Sequence, residues 1–188
     1  MSTNNTNEIK VWDPLIRIFH WSLVAFFALA YFTEDDWLGI HSSAGYTIAL
    51  LVLFRLLWGF IAIYQSALFI NFVTHPNVAI RYLIQEIKGD AKRYVGHNPA
   101  GAAMVLMLLT SLFMTALFGM ALFATEGHGV LANTFVSQLP ANIIKDLHEF
   151  FANFTLLLII SHVLGVVLSS KIHKENLLLA MITGKKKK

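Results

Sequence analysis

Four apolar stretches, at about 18–33, 41–63, 100–125 and 147–169, constrain this chain more than any other feature. Each approaches the ~20 residues that an α-helix needs to cross the hydrocarbon core of a bilayer. Lipid offers no hydrogen bonds, so a spanning segment has to satisfy its own backbone, and a helix does so within one segment. The expected fold is an all-α membrane protein. It is a four-transmembrane-helix up-and-down bundle forming one integral-membrane domain over 1–188. Composition agrees, with 56% hydrophobic and only 13% charged residues, about half the charged share of a soluble domain. Trp12, Trp21, Tyr31 and Trp37 lie near the ends of the first stretch, as interfacial aromatic residues do. The first ten residues are polar and hold no apolar core, so no cleavable signal peptide is expected there.

An even number of spans puts both chain ends on one side. Of the 14 lysines and arginines, 13 fall in the N-terminal arm, the second connection and the tail, leaving only Lys145 for the other side. The positive-inside rule then expects cytoplasmic termini, including a cytoplasmic tail over 170–188, in a bacterial cytoplasmic membrane. The outer face carries Glu34, Asp35, Asp36, Glu126, Asp146 and Glu149 against that one lysine, a formal charge of −5. Membrane lipid is an expected partner and nucleic acid is not.

Between the second and third spans, Ile80, Leu83, Ile84 and Ile87 recur at helical spacing, with Arg81, Gln85 and Lys88 among them. This predicts a cytoplasmic interfacial amphipathic helix, with Thr74 as N-cap and Pro76 in its first turn. A second short helix is expected at about Lys174–Met181. The closing "GKKKK" is expected at anionic lipid headgroups or as a solvated charge run.

The chain has no cysteine, which excludes disulfides, thiolate metal sites and a Cys-x-x-Cys-His haem attachment. Its chemistry falls to histidine. His75, His97, His128 and His173 lie in connections or at helix ends, where solvated, capping or interfacial roles are expected. His20, His41, His148 and His162 lie in or at the ends of spans, where an ionisable group needs a partner or a function. His148 and His162 are 14 residues apart on the fourth span. At about 1.5 Å and about 100° per residue they sit ~21 Å apart on nearly one stripe. Thr155 lies midway, and Gly165 and Ser169 continue the stripe with small side chains that leave room for a flat macrocycle. Topology places His20 at the cytoplasmic end of the first span and His41 at the outer end of the second. Two levels result, with His20 facing His162 and His41 facing His148. Each level suits bis-His haem ligation, with the second ring nitrogen held by a carbonyl or side chain. Arg17, three residues before His20, and Arg55, on the His41 stripe, are candidates for pairing haem carboxylates; the alternative is snorkelling to the headgroups. A single zinc site is disfavoured because the four histidines occupy two levels. Four histidines that merely hydrogen-bond within a bundle remain an alternative on spacing alone.

The pieces "VWDPLIRIFHW", "GIHSSAGY" with "RLLWGF", "RYVGHNPAGAAMVLML", "LHEFFANFTLLLIISHV" and "HKENLLLAMITGKKK" fall in order across the chain after residue 10. Together they resemble the membrane cytochrome b subunits of nickel–iron hydrogenases and their stand-alone bacterial relatives. The resemblance implies a four-helix bundle with two non-covalent b haems and quinone chemistry at one membrane face. Carried over, the family's ligand positions match His20, His41, His148 and His162. A quinone site near the cytoplasmic haem would involve His97 and Asn98, although "GHNP" also reads as a helix start with Asn98 as cap and Pro99 in the first turn. The expected function is electron transfer across the membrane between the quinone pool and a periplasmic redox partner. That partner is a c-type cytochrome or a hydrogenase, and the acidic outer face suits a basic docking surface. Alternatives are a stand-alone quinone-linked oxidoreductase acting on a small substrate at the outer haem, or a haem-free membrane anchor.

Overall fold

The computed structural model describes residues 8–34, 36–62, 68–73 and 75–187. Among these residues six α-helices follow one another: α1 Pro14–Phe32, α2 Leu38–Ile61, α3 Pro76–Lys88, α4 Pro99–Thr125, α5 Ala141–Ile172 and α6 Leu177–Thr183. Single turns of 3-10 helix lie at Phe69–Asn71 and Phe135–Gln138. Helices α1, α2, α4 and α5 are long and apolar enough to cross a membrane, so the four-span all-α class holds. The chain also forms a short antiparallel pair, β1 Glu8–Lys10 with β2 Lys185–Lys187. This pairing joins segments near the two ends of the chain, which an even number of spans leaves on one side of the membrane.

Helix starts follow local chemistry. Asp13 Oδ1 accepts from the Leu15 backbone N–H at 2.8 Å ahead of Pro14, an acidic cap followed by proline in the first turn. Its second oxygen accepts from the Trp58 indole N–H at 3.0 Å, which ties the start of α1 to the end of α2. Asn98 caps α4, with its Oδ1 accepting from Gly101 N–H at 2.6 Å. The cap of α3 is His75, whose Nδ1 accepts from Asn77 N–H at 3.4 Å; Thr74, expected in that role, lies outside the described residues. The helix α3 ends at Gly89 with φ 80°, a left-handed value that glycine adopts without a Cβ clash.

The chain divides into two compact units. One unit is built from Phe19–Leu56 and Met107–Ile159. Its core is Ala30, Ala44, Ile48, Val52 and Leu112, with Leu23, Phe26, Phe27 and Leu56 against it. Ala30 on α1 and Ala44 on α2 are small, and Ile48, Val52 and Leu112 fill the core beside them, the van der Waals packing that associates helices in lipid. In the same unit Thr155, fully buried on α5, shares a 2.7 Å hydrogen bond with Ser111 Oγ on α4. It also lies 3.3 Å from Thr115 Oγ1.

The other unit is built from Met1–Ile18, Leu57–Leu106 and Ile160–Lys188. Ile16 and Ala62 form its apolar centre with Trp58, Leu68 and Met181. Within it, α3 turns Ala79, Tyr82 and Glu86 inward. Ile80, Leu83, Ile84 and Ile87 stay exposed. The apolar stripe read in the sequence is therefore the free face of an amphipathic helix, as an interfacial helix presents to lipid.

The tail departs from expectation. Lys185–Lys187 is a strand rather than a solvated or headgroup-bound charge run, and Lys186 is buried. Its Nζ lies 3.6 Å from Glu175 Oε2 and 5.9 Å from the centroid of the Trp12 ring. Strand alternation sends every second side chain to the same face, which is how one lysine of the run enters while its neighbours stay out.

Candidate functional site

His41 lies on the first turn of α2 and His148 on α5, both half-buried in the unit of Phe19–Leu56 and Met107–Ile159. Their ring centroids are 6.0 Å apart, with ring planes at 85°. Nδ1 of His41 is 2.9 Å from the Ala30 carbonyl on α1. Nδ1 of His148 is 2.9 Å from the Thr115 carbonyl on α4. A carbonyl only accepts, so both rings donate from Nδ1, and an imidazole that carries its one proton there presents Nε2 as a bare lone pair. This is the tautomer and the outer hydrogen bond that a metal-ligating histidine uses.

The spacing also suits one metal ion between two rings. Metal–imidazole bonds of about 2 Å put opposed nitrogens about 4 Å apart and ring centroids about 6 Å apart. A glycine stands against the His148 ring. One turn after His41, a Cβ on Gly45 would meet nothing within 4 Å. On α4, a Cβ on Gly119 would stand 2.9 Å from His148 Cε1, space that the ring itself takes. The donor set and the room fit a bis-imidazole haem iron. They do not fit a closed zinc site, which takes four ligands: among the described residues no three His, Cys, Asp or Glu side chains gather.

His20 is half-buried on α1 with its ring edge-on to Trp21 at 5.1 Å. His162 is half-buried on α5 within the other unit. On the α5 stripe, Ser169 is buried and Gly165 is exposed, with open space where its Cβ would stand. Arg55 is only 3% exposed, so it is buried and does not snorkel. Arg17 donates from Nη1 to the Ile182 carbonyl near the end of α6, which ties α1 to the tail. Its buried Nε makes no hydrogen bond among the described residues.

The His97 ring sits against Trp12 at 4.7 Å and Phe72 at 4.6 Å. Next to it, Asn98 performs the capping role that its position before proline suggested. Of the other histidines, His75 caps α3 and His128 lies 5.3 Å from the Phe123 ring. His173, for which a solvated, capping or interfacial role is expected, is half-buried with its Nε2 3.5 Å from Glu86 Oε1.

Four contributors escaped the sequence reading. Asp13 was visible in principle as an acid before Pro14. Gly119 was visible only as a glycine in an apolar helix, with nothing to say which ring it faces. The Ala30 and Thr115 carbonyls carry no side-chain signature at all.

Residues 11–184 match the family described as prokaryotic cytochrome b561. No curated protein and no solved structure matches the chain.

Proposed function

Because this chain belongs to the prokaryotic cytochrome b561 family, we propose that it is a di-haem cytochrome linking the quinone pool to a redox partner at the periplasmic face. Membership makes it a multi-pass membrane cytochrome of the b type, a protein of electron transfer. The observation that carries the finer reading is the His41–His148 pair, with both Nδ1 atoms anchored on backbone carbonyls and both Nε2 atoms left for a metal. When bound, the haem iron supplies the one-electron chemistry. The residues contribute position: the carbonyls of Ala30 and Thr115 hold the rings, and Gly119 leaves the space that the His148 ring takes. The second haem is assigned to His20 and His162 on their sequence positions and the fourteen-residue spacing of His148 and His162. Arg55, buried, and Arg17, with its unengaged Nε, are assigned to the haem carboxylates, whose charge would offset the cost of keeping a guanidinium out of water.

His97 and Asn98 are assigned to a quinone on the side of the chain termini, which the lysine and arginine distribution makes cytoplasmic. The opposite face, with Glu34, Asp36, Glu126, Asp146 and Glu149 against Lys145, suits a basic partner such as a c-type cytochrome. Attraction between such surfaces raises the association rate and weakens with salt.

The deciding experiment is the haem-to-protein ratio of the purified protein together with single His→Ala variants. Two haems per chain are expected. His41→Ala and His148→Ala should each lose the same one, and His20→Ala and His162→Ala the other. Retention of both haems in His148→Ala overturns the ligand assignment. A reduced-minus-oxidised spectrum without b-type bands overturns the whole reading.

A further inference from the structure

A second group of buried titratable side chains stands apart from the four proposed haem ligands. Glu86, on the last turns of α3, is 5% exposed. Both of its carboxylate oxygens are buried. Facing it, just beyond the end of α5, His173 places Nε2 3.5 Å from Glu86 Oε1, and that nitrogen is also buried without a hydrogen bond. The carboxylate and the imidazole are therefore in apposition, close enough for a proton to pass between them over a short path. The His173 side chain is 12% exposed against 6% for Glu86, so the histidine is the member nearer to water.

One turn earlier than Glu86 on α3 is Tyr82. Its hydroxyl donates to the Lys92 carbonyl at 2.9 Å and lies beside the side chains of Glu86 and Asn98. Burial, and then the neighbouring Glu86 carboxylate, push the Tyr82 hydroxyl well above the usual tyrosine range. It therefore stays protonated near neutral pH and passes a proton on only as it receives one. Among the described residues, His173 from the end of α5 and Tyr82 on its own helix face Glu86, with the Tyr94 ring packed 5.5 Å from Tyr82.

We propose that Glu86 and His173 form a proton-holding pair, reached through the Tyr82 hydroxyl, for a quinol bound at His97 and Asn98. This rests on the quinone assignment made above. Oxidation of a quinol to a quinone breaks two O–H bonds, forms two carbonyls and releases two electrons and two protons. The electrons leave by the cytochrome's own electron transfer. Each proton passes by way of Tyr82 to the pair, and from His173 to water. Glu86 and His173 act at a distance from the quinol, so they are positioning residues for the proton and do not touch the reacting ring.

The test uses the full-length, haem-loaded protein with a short-chain ubiquinol as donor and ferricyanide as acceptor. Glu86→Gln keeps the size of the side chain and cannot take up a proton. It should lower turnover by about 10²-fold and flatten the pH profile, with haem content and ubiquinone affinity unchanged. Glu86→Asp should recover part of the rate and of the pH dependence. His173→Gln carries the same expectation as Glu86→Gln and serves if that variant does not accumulate. Unchanged turnover and pH profile in both Gln variants overturn the relay while leaving the quinone site intact. Wild-type protein that binds no ubiquinone overturns the quinone assignment and the relay with it.

Discussion

Glycine at 119 looks replaceable until its neighbour is considered. In an unconstrained helix, glycine to alanine gains roughly 1 kcal/mol from propensity. Here the new Cβ would stand 2.9 Å from His148 Cε1 and 3.1 Å from its Nδ1. The ring would have to turn, and its hydrogen bond to the Thr115 carbonyl would lengthen. Steric exclusion and propensity therefore predict opposite results. We expect Gly119→Ala to keep its helicity yet lose or distort one of the two proposed haems, read as a lower haem-to-protein ratio or a changed reduced-minus-oxidised spectrum. An unchanged spectrum with a higher melting temperature would show that the ring does not depend on that space. Histidine type and spacing could be read from the sequence because helical periodicity is a local property. The partners that orient the rings could not be read, because a backbone carbonyl looks alike at every residue and only the packed fold selects Ala30 and Thr115.

Two elements gain definition from contacts distant in sequence. The α4–α5 contact is held partly by the hydroxyls of Ser111, Thr115 and Thr155. Thr155 was placed on the histidine stripe by periodicity, but its hydrogen-bond partner sits 44 residues away, beyond any sequence window. Thr155→Val keeps the shape and removes the hydroxyl. Interhelical hydrogen bonds in membranes are worth about 0.6 kcal/mol and at most about 1.7 kcal/mol. A loss in that range is expected in reversible unfolding from mixed micelles. The strand β2 is the second case. A run of lysines reads locally as solvated, yet pairing with β1 turns Lys186 inward. Burial holds its ammonium below the usual lysine range, against the opposing pull of Glu175. Between that depressed value and 10.5 the unfolded chain binds more protons than the folded one. Stability from this residue therefore rises with pH across that window. The melting temperature of the wild type should gain on that of Lys186→Met as pH increases through it. A difference independent of pH would mean that Lys186 is solvated.

At the scale of the whole molecule, the four spans were legible because hydropathy needs no partner, and α3 was legible because its period is helical. What remained hidden was polar and long-range: the β1–β2 pair, the Glu86–His173 contact and the inward face of α3. Orientation in the membrane is a property of the entire chain, and charge argues for it. With four spans and paired ends, Lys10 and Lys185 share a side. Lys145, near the start of α5, is separated from the tail by that 32-residue helix and belongs to the opposite side. Because the chain has no cysteine, a single introduced thiol reports its own location without background. Lys145 and Lys185 both carry exposed side chains, so substitution should cost little. Lys145→Cys should react with a membrane-impermeant maleimide in intact spheroplasts, and Lys185→Cys only in inverted vesicles. Labelling of both variants from one side would contradict four spans with α5 crossing. The reverse pattern would keep the fold, turn the acidic face towards the cytoplasm, and move the proposed quinone side and proton pair to the periplasm.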